Sequence, residues 1–270
     1  MEYNGKFGGG GNSVAPAHRI GALFKTFVSG QAARLAFTLA EVLVTLGIIG
    51  IIAALTMPAL ITKYQKKQTV AQLKKSYSVI SQALVSSQAE NGSIEEWDLS
   101  NIGQMDTGAP NESYRDALTG VVNKYFVPYF ELVENCGLSC NSQKDIKRLE
   151  LNRTRERYWN TKEFYVIYLK DGSIIAFSMD VSGAGVYQYI YINVDINGNA
   201  KPNVYGRDIF TFMLTSATKK LNMAGDGYSR TVLTSSSRRG CNKNSQYDAG
   251  FYCGALIQYD GWEIKDDYPW

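Results

Sequence analysis

The chain has 270 residues, 45% of them hydrophobic and 20% charged, with a formal net charge of +3, an ordinary globular composition for one or two domains. The positive excess lies wholly ahead of Phe37, where Lys6, Arg19, Lys25 and Arg34 oppose only Glu2. The balanced remainder makes nucleic acid an unlikely partner. The single histidine, His18, also precedes Phe37; without that segment, Ser-His-Asp or Cys-His catalysis and histidine zinc sites are excluded. With no catalytic constellation elsewhere, we read the protein as a non-enzyme.

Residues 1–36 read as a leader, with a flexible "GGGGNS" and a weakly amphipathic basic stretch. Basic residues ahead of an apolar run hold that end in the cytoplasm. From Val42 to Thr62 there is no charge, and at ~1.5 Å per residue such a helix spans roughly 30 Å, a bilayer core. That run exceeds the h-region of a cleaved signal peptide. Glu41 stands just inside its start, where a carboxylate is costly and needs a partner. Beyond Lys63, apolar residues recur at three and four: Val70, Leu73, Tyr77, Ile80 and Leu84. That is one stripe of an amphipathic helix. No break separates the two patterns, so one helix is expected from Thr38 to Ala89, ended by Glu90-Asn91-Gly92.

The globular part, residues 93–270, follows. Residues 113–133 read as helix, broken at Pro128, and residues 147–157 as a basic connection within a loop-rich region from Ser93 to Asn160. Residues 162–180 read as a β-hairpin around Asp171-Gly172, residues 187–203 as a strand and turn, and residues 207–214 as a fourth strand. Residues 252–264 read as a short helix or turn tied down by Cys253. The expected fold class is α+β: a long N-terminal helix packed on a small antiparallel sheet. Cys136, Cys140, Cys241 and Cys253 all follow the apolar run, which suits disulfides in an oxidising compartment. Cys136–Cys140 with Cys241–Cys253 is the first guess among three connectivities, against free buried thiols.

The stretch "FTLAEVLVTLGIIGIIAALTMPAL", with its basic leader, Glu41 four residues after Phe37, and Pro58, resembles the N-terminus of type IV pilins and of the pseudopilins of type II secretion. The likeness covers roughly residues 34–62. It implies a pilin-like fold divided into a leader 1–36, a membrane half 37–62 and an amphipathic half 63–92. It implies cutting between Ala36 and Phe37 by prepilin peptidase and methylation of the new amine. The subunit would cross the inner membrane once, N-terminus in the cytoplasm, in contact with membrane lipid. An inner-membrane assembly platform would then draw it, with other pilin or pseudopilin subunits, into a periplasmic or extracellular helical fibre. In that family the glutamate pairs with a neighbour's N-terminal amine, a role that falls here to Glu41, and the proline, here Pro58, bends the helix. The residue before the cut is usually glycine, and here it is Ala36. The alternative is an anchored extracytoplasmic binding protein that does not polymerise.

Three constellations remain. Asp195, Asn197 and Asn199, with Asp208 nearby, suggest a calcium (Ca2+) loop of the kind some pseudopilins carry, against an Asn-Gly turn bonding its own backbone. Lys144, Lys147, Arg148, Arg153, Arg155 and Arg157 beside Tyr158 and Trp159 suit single-stranded DNA, but interleaved Asp145, Glu150 and Glu156 favour a solvated face. Phe164, Tyr165, Tyr168, Tyr187, Tyr189 and Tyr191 suit a glycan surface, with sheet packing the cheaper explanation. The C-terminal cysteine pair, by the same family resemblance, would close an exposed loop on the fibre.

Overall fold

A computed structural model describes residues 38–97, 112–181, 188–215 and 220–270. Helix α1, Leu39–Asn91, runs unbroken through Pro58. The chain divides into two units, Met1–Ile52 and Ala53–Trp270, with α1 contributing to both.

In the first unit every described residue is exposed. Leu43, Leu46, Ile49 and Ile51 each keep about three-fifths of their surface open, at 61%, 60%, 61% and 63%. A helix apolar on every side belongs in a membrane or among other apolar helices. By length and composition α1 is able to cross a membrane.

The second unit is α+β. The stripe of α1 that carries Leu73, Ile80, Ala83 and Leu84 is buried in the main core with Phe177, Ile192 and Phe212 of the sheet. The Tyr77 ring lies 6.1 Å from that of Phe212. Helix α2, Glu112–Tyr125, buries Tyr114, Leu118, Val121, Val122 and Tyr125. It is pinned to the sheet through Tyr114, whose hydroxyl accepts from the Met179 amide and donates to the Glu163 carbonyl, both at 3.0 Å. Pro128 sits in a one-turn 3-10 helix, Val127–Tyr129.

Among the described residues eight strands follow: β1 Leu132–Leu138, β2 Arg148–Leu149, β3 Glu156–Arg157, β4 Tyr165–Leu169, β5 Ile174–Val181, β6 Gln188–Asp195, β7 Ile209–Thr215 and β8 Leu221–Met223. Six form one antiparallel sheet in the order β1-β4-β5-β6-β7-β8, and β2 pairs with β3 apart from it. The pairing of β1 with β4 slips twice, between Leu132 and Glu134 and between Asn135 and Gly137. Helices α3, Arg230–Ser235, and α4, Cys253–Tyr259, complete the unit.

The central strands are apolar on both faces because both faces are covered. Tyr165, Ile167 and Leu169 of β4 and Ile175, Phe177 and Met179 of β5 join the main core. The alternate residues Val166, Ile174 and Ala176 join a second cluster with Trp159, Phe164, Tyr205 and Ile209. Strict alternation puts successive side chains on opposite faces, so a strand buried on both reads as a continuous apolar run.

Three expectations need correction. Residues 132–133, expected to close a helix, instead open strand β1. Residues 147–157 are not a mere connection, for they form the β2–β3 hairpin, and with α2 and β1 they reduce the loop content expected of residues 93–160. The short elements β8 and α3 went unread.

Candidate functional site

At the N-terminus of α1 the sequence Thr-Leu-Ala-Glu folds as a capping box, in which a threonine and the glutamate three residues on satisfy each other's backbone. The Thr38 amide and hydroxyl both donate to Glu41 Oε2 at 2.8 Å, and the Glu41 amide donates back to Thr38 Oγ1 at 3.2 Å. Glu41 therefore has a partner within its own chain. Ala36 and Phe37 lie outside the described residues. Pro58 is in mid-helix, where its missing N–H leaves the Ala54 carbonyl without the usual donor, and its own carbonyl accepts from Thr62 Oγ1 at 2.9 Å.

The loop after β6 brings Asp195, Asn197, Asn199 and Asp208 close together, but around a guanidinium. Arg148 Nη2 reaches Asp195 Oδ2 and Asn199 Oδ1, each at 3.3 Å. Gln143 Nε2 also donates to Asn199 Oδ1, at 3.1 Å. The Asn197 amide, turned so that its nitrogen faces acceptors, donates to Asp195 Oδ1 at 2.8 Å. Asp208 accepts the backbone N–H groups of Asn203 and Val204, both at 2.7 Å. The oxygens proposed for calcium are thus turned toward N–H donors, and a cation there would have to displace the Arg148 side chain. Among the described residues no three His, Cys, Asp or Glu side chains are grouped to hold a metal.

This is also the fate of the basic run. Arg148 is wholly buried, its guanidinium 3.6 Å above the ring of Trp159, itself wholly buried. Burial pushes the Asp195 carboxyl well above the ordinary carboxylate range, against the pull of Arg148. Arg157 pairs with buried Glu150 at 3.0 Å and with Asp248. Arg148 and Trp159 are interior members of the domain, so the solvated-face reading fails for them and a single-stranded DNA grip through them is closed, while Arg157 keeps 31% of its side chain exposed.

Both cysteine pairs are bridged, Cys136 to Cys140 and Cys241 to Cys253. The second closes a loop of 12 residues in sequence separation, worth about 3 kcal/mol by loop-closure entropy. Its Sγ fits only because residue 206 is glycine. With φ at +83°, a Cβ there would stand 2.6 Å from Cys253 Sγ.

That loop forms one wall of a cleft on the second face of the sheet, a feature that sequence alone did not locate. Two hollows, of about 210 Å³ and 320 Å³, share Asp180, Tyr191, Arg239 and Phe251. The Tyr191 ring meets Phe251 edge-on at 5.4 Å and lies parallel to Tyr189 at 6.1 Å. Arg239 is tied to Asp248 at 3.3 Å. Burial raises the carboxyl pKa of Glu163, which also lines the first hollow, opposed by the Arg157 charge. Of the aromatic residues singled out from sequence, Phe164 and Tyr165 are buried packing, while Tyr168 bonds Ser142 and Gln143. Phe164, Tyr189 and Tyr191 line the cleft, and Tyr187 lies outside the described residues.

A family model described as a family of unknown function (DUF6613) matches residues 59–270. The chain belongs to that family. The DUF6613 match opens one residue after Pro58, so it takes in the amphipathic half of α1 and the whole sheet, and leaves out the apolar run up to Pro58. No curated protein and no solved structure matches the chain.

Proposed function

We propose that this protein is made as a prepilin, is cut between Ala36 and Phe37, and serves as a structural subunit of a type IV pilus or a type II secretion pseudopilus. One observation carries the reading: a helix exposed and predominantly apolar on every side from Leu39 to Ile52, charged only at a carboxylate in its first turn. Such a surface is at home in a bilayer and equally in a bundle of its own copies. The order of basic leader, Phe37, Glu41 and uncharged run supports it, as do two disulfides on the far side of that run. In this reading a paired Glu41 sets the register of each new subunit more than it adds stability, since desolvating both charges offsets most of their attraction while a misregistered, unpaired charge is strongly disfavoured.

The experiment is mass spectrometry of the intact chain from native membranes. A mature chain beginning at N-methylated Phe37 is the expected result. A chain that retains residues 1–36 removes the proposal.

A second reading has its own support. The capping box gives Glu41 a purpose in a single copy, and the aromatic cleft offers a place for a ligand. Both suit an anchored extracytoplasmic binding protein that never polymerises.

A further inference from the structure

Where the apolar run ends, α1 and the C-terminal segment enclose an open groove of about 920 Å³, within the size range of small-molecule sites. Its two walls carry opposite charge. Lys63, Lys66 and Lys67 stand on the helix wall, and Glu263 and Asp266 stand on the other. Lys66 bridges the walls, at 3.5 Å from the Lys265 carbonyl and 3.9 Å from Asp266 Oδ1. Lys63, Lys67 and Glu263 have no ion-pair partner among the described residues. Pro58, Ala59 and the half-buried Trp262 give the groove an apolar side.

Position adds to charge. Thr62 is the last uncharged residue of the run and Lys63 the first charge after it. If the run spans a bilayer, these residues lie at headgroup depth, where lysine and tryptophan are favoured. A headgroup that matches both walls carries a phosphate and a protonated primary amine. An anionic headgroup without an amine leaves Glu263 unpaired and repelled. A quaternary ammonium has no N–H to give it.

We propose that the groove binds the headgroup of a phosphatidylethanolamine from the surrounding bilayer, its phosphate against Lys63 and Lys67 and its ammonium against Glu263. This rests on the reading of α1 as membrane-spanning.

The test uses the full chain. Carbonate washing of native membranes comes first. Native mass spectrometry in mild detergent then follows titration with phosphatidylethanolamine, phosphatidylglycerol and phosphatidylcholine of the same acyl chains. Retention in the washed membrane and preferential ethanolamine adducts are expected. Lys67→Glu and Glu263→Lys should each lower those adducts about threefold, the loss of one exposed ion pair. Release by carbonate overturns the membrane reading and the groove with it. A chain that stays in the membrane overturns the groove alone if it holds the three lipids equally, prefers phosphatidylglycerol, ignores both substitutions, or fills the groove with a second copy.

Discussion

Glu41 carries two explanations that one substitution separates. Glutamine preserves the side-chain acceptor that a capping box needs and removes the charge that a neighbour's amine would need. If Glu41 registers subunits, Glu41→Gln leaves the anchored chain at normal abundance and abolishes its incorporation into sheared fibres. If Glu41 only caps α1, Glu41→Gln behaves as wild type, while Glu41→Ala costs about 1 kcal/mol of local helix stability. Arg148 and Asp195 stand 47 residues apart in sequence, and nothing local marks either as buried. Runs of arginine among glutamates normally signal solvent. Only the stacking on Trp159 and the closure of the loop after β6 bring the arginine inside. Removing it strands a buried carboxylate, so Arg148→Ala should lower the unfolding free energy by about 3–5 kcal/mol. The apolar pair Arg148→Met with Asp195→Leu should recover most of that loss. Thermal unfolding of the two variants and the wild type in one detergent checks both expectations.

Element by element, legibility followed pattern length. Helix α1 was readable because its apolar repeat persists over many turns, and the β4–β5 hairpin because two β-rich runs flank Asp171-Gly172. Strand β1 escapes a sequence reading since Leu132 and Val133 continue the apolar run of the preceding helix, and all seven of its residues are only partly buried or, like Val133, exposed. Strands of two or three residues, as in β2, β3 and β8, offer no period to detect. The two halves of α1 should answer differently to the same truncation. Leu73 is wholly buried while Leu46 keeps 60% of its surface. Leu73→Ala should therefore cost about 2–5 kcal/mol, and Leu46→Ala within about 0.5 kcal/mol, when near-UV circular dichroism follows the melting of the sheet-bearing unit. The C-terminal segment is clasped to α3 by Asp260, which accepts from Arg230 Nε at 2.8 Å and pairs with Lys265 at 3.1 Å. The Arg230 bonds above all, with Lys265 assisting, hold its carboxyl below the ordinary range. A carboxylate depressed in the native state binds fewer protons there than when unfolded. Its contribution is complete above the unfolded value, about 3.9, and disappears as pH falls through the lower native value. Melting temperatures taken from pH 6 to pH 2 should fall less steeply for Asp260→Asn than for the wild type.

On the scale of the whole molecule, the chain joins two surfaces with different requirements. The apolar helix of the first unit needs other apolar groups around it. The second unit closes its own core on both sides of a sheet and braces it with two disulfides. The division was visible in sequence as a change from uncharged run to amphipathic stripe, because a bilayer and a protein core ask for different patterns. The cleft and the groove were not visible, since each gathers residues from distant segments. The sheet also has ends, and at both the ladder is cut short. At one end, β1 is kinked by two bulges and carries Cys136, bridged to Cys140 just beyond the strand; at the other, β8 lasts three residues. Open strand edges are templates on which a second chain can zip, and bulges and brevity deny it the straight row of N–H and C=O groups required. Copies of this protein crowded side by side are therefore shielded from amyloid-like fusion through their sheets, and whatever order they adopt is left to side chains to dictate.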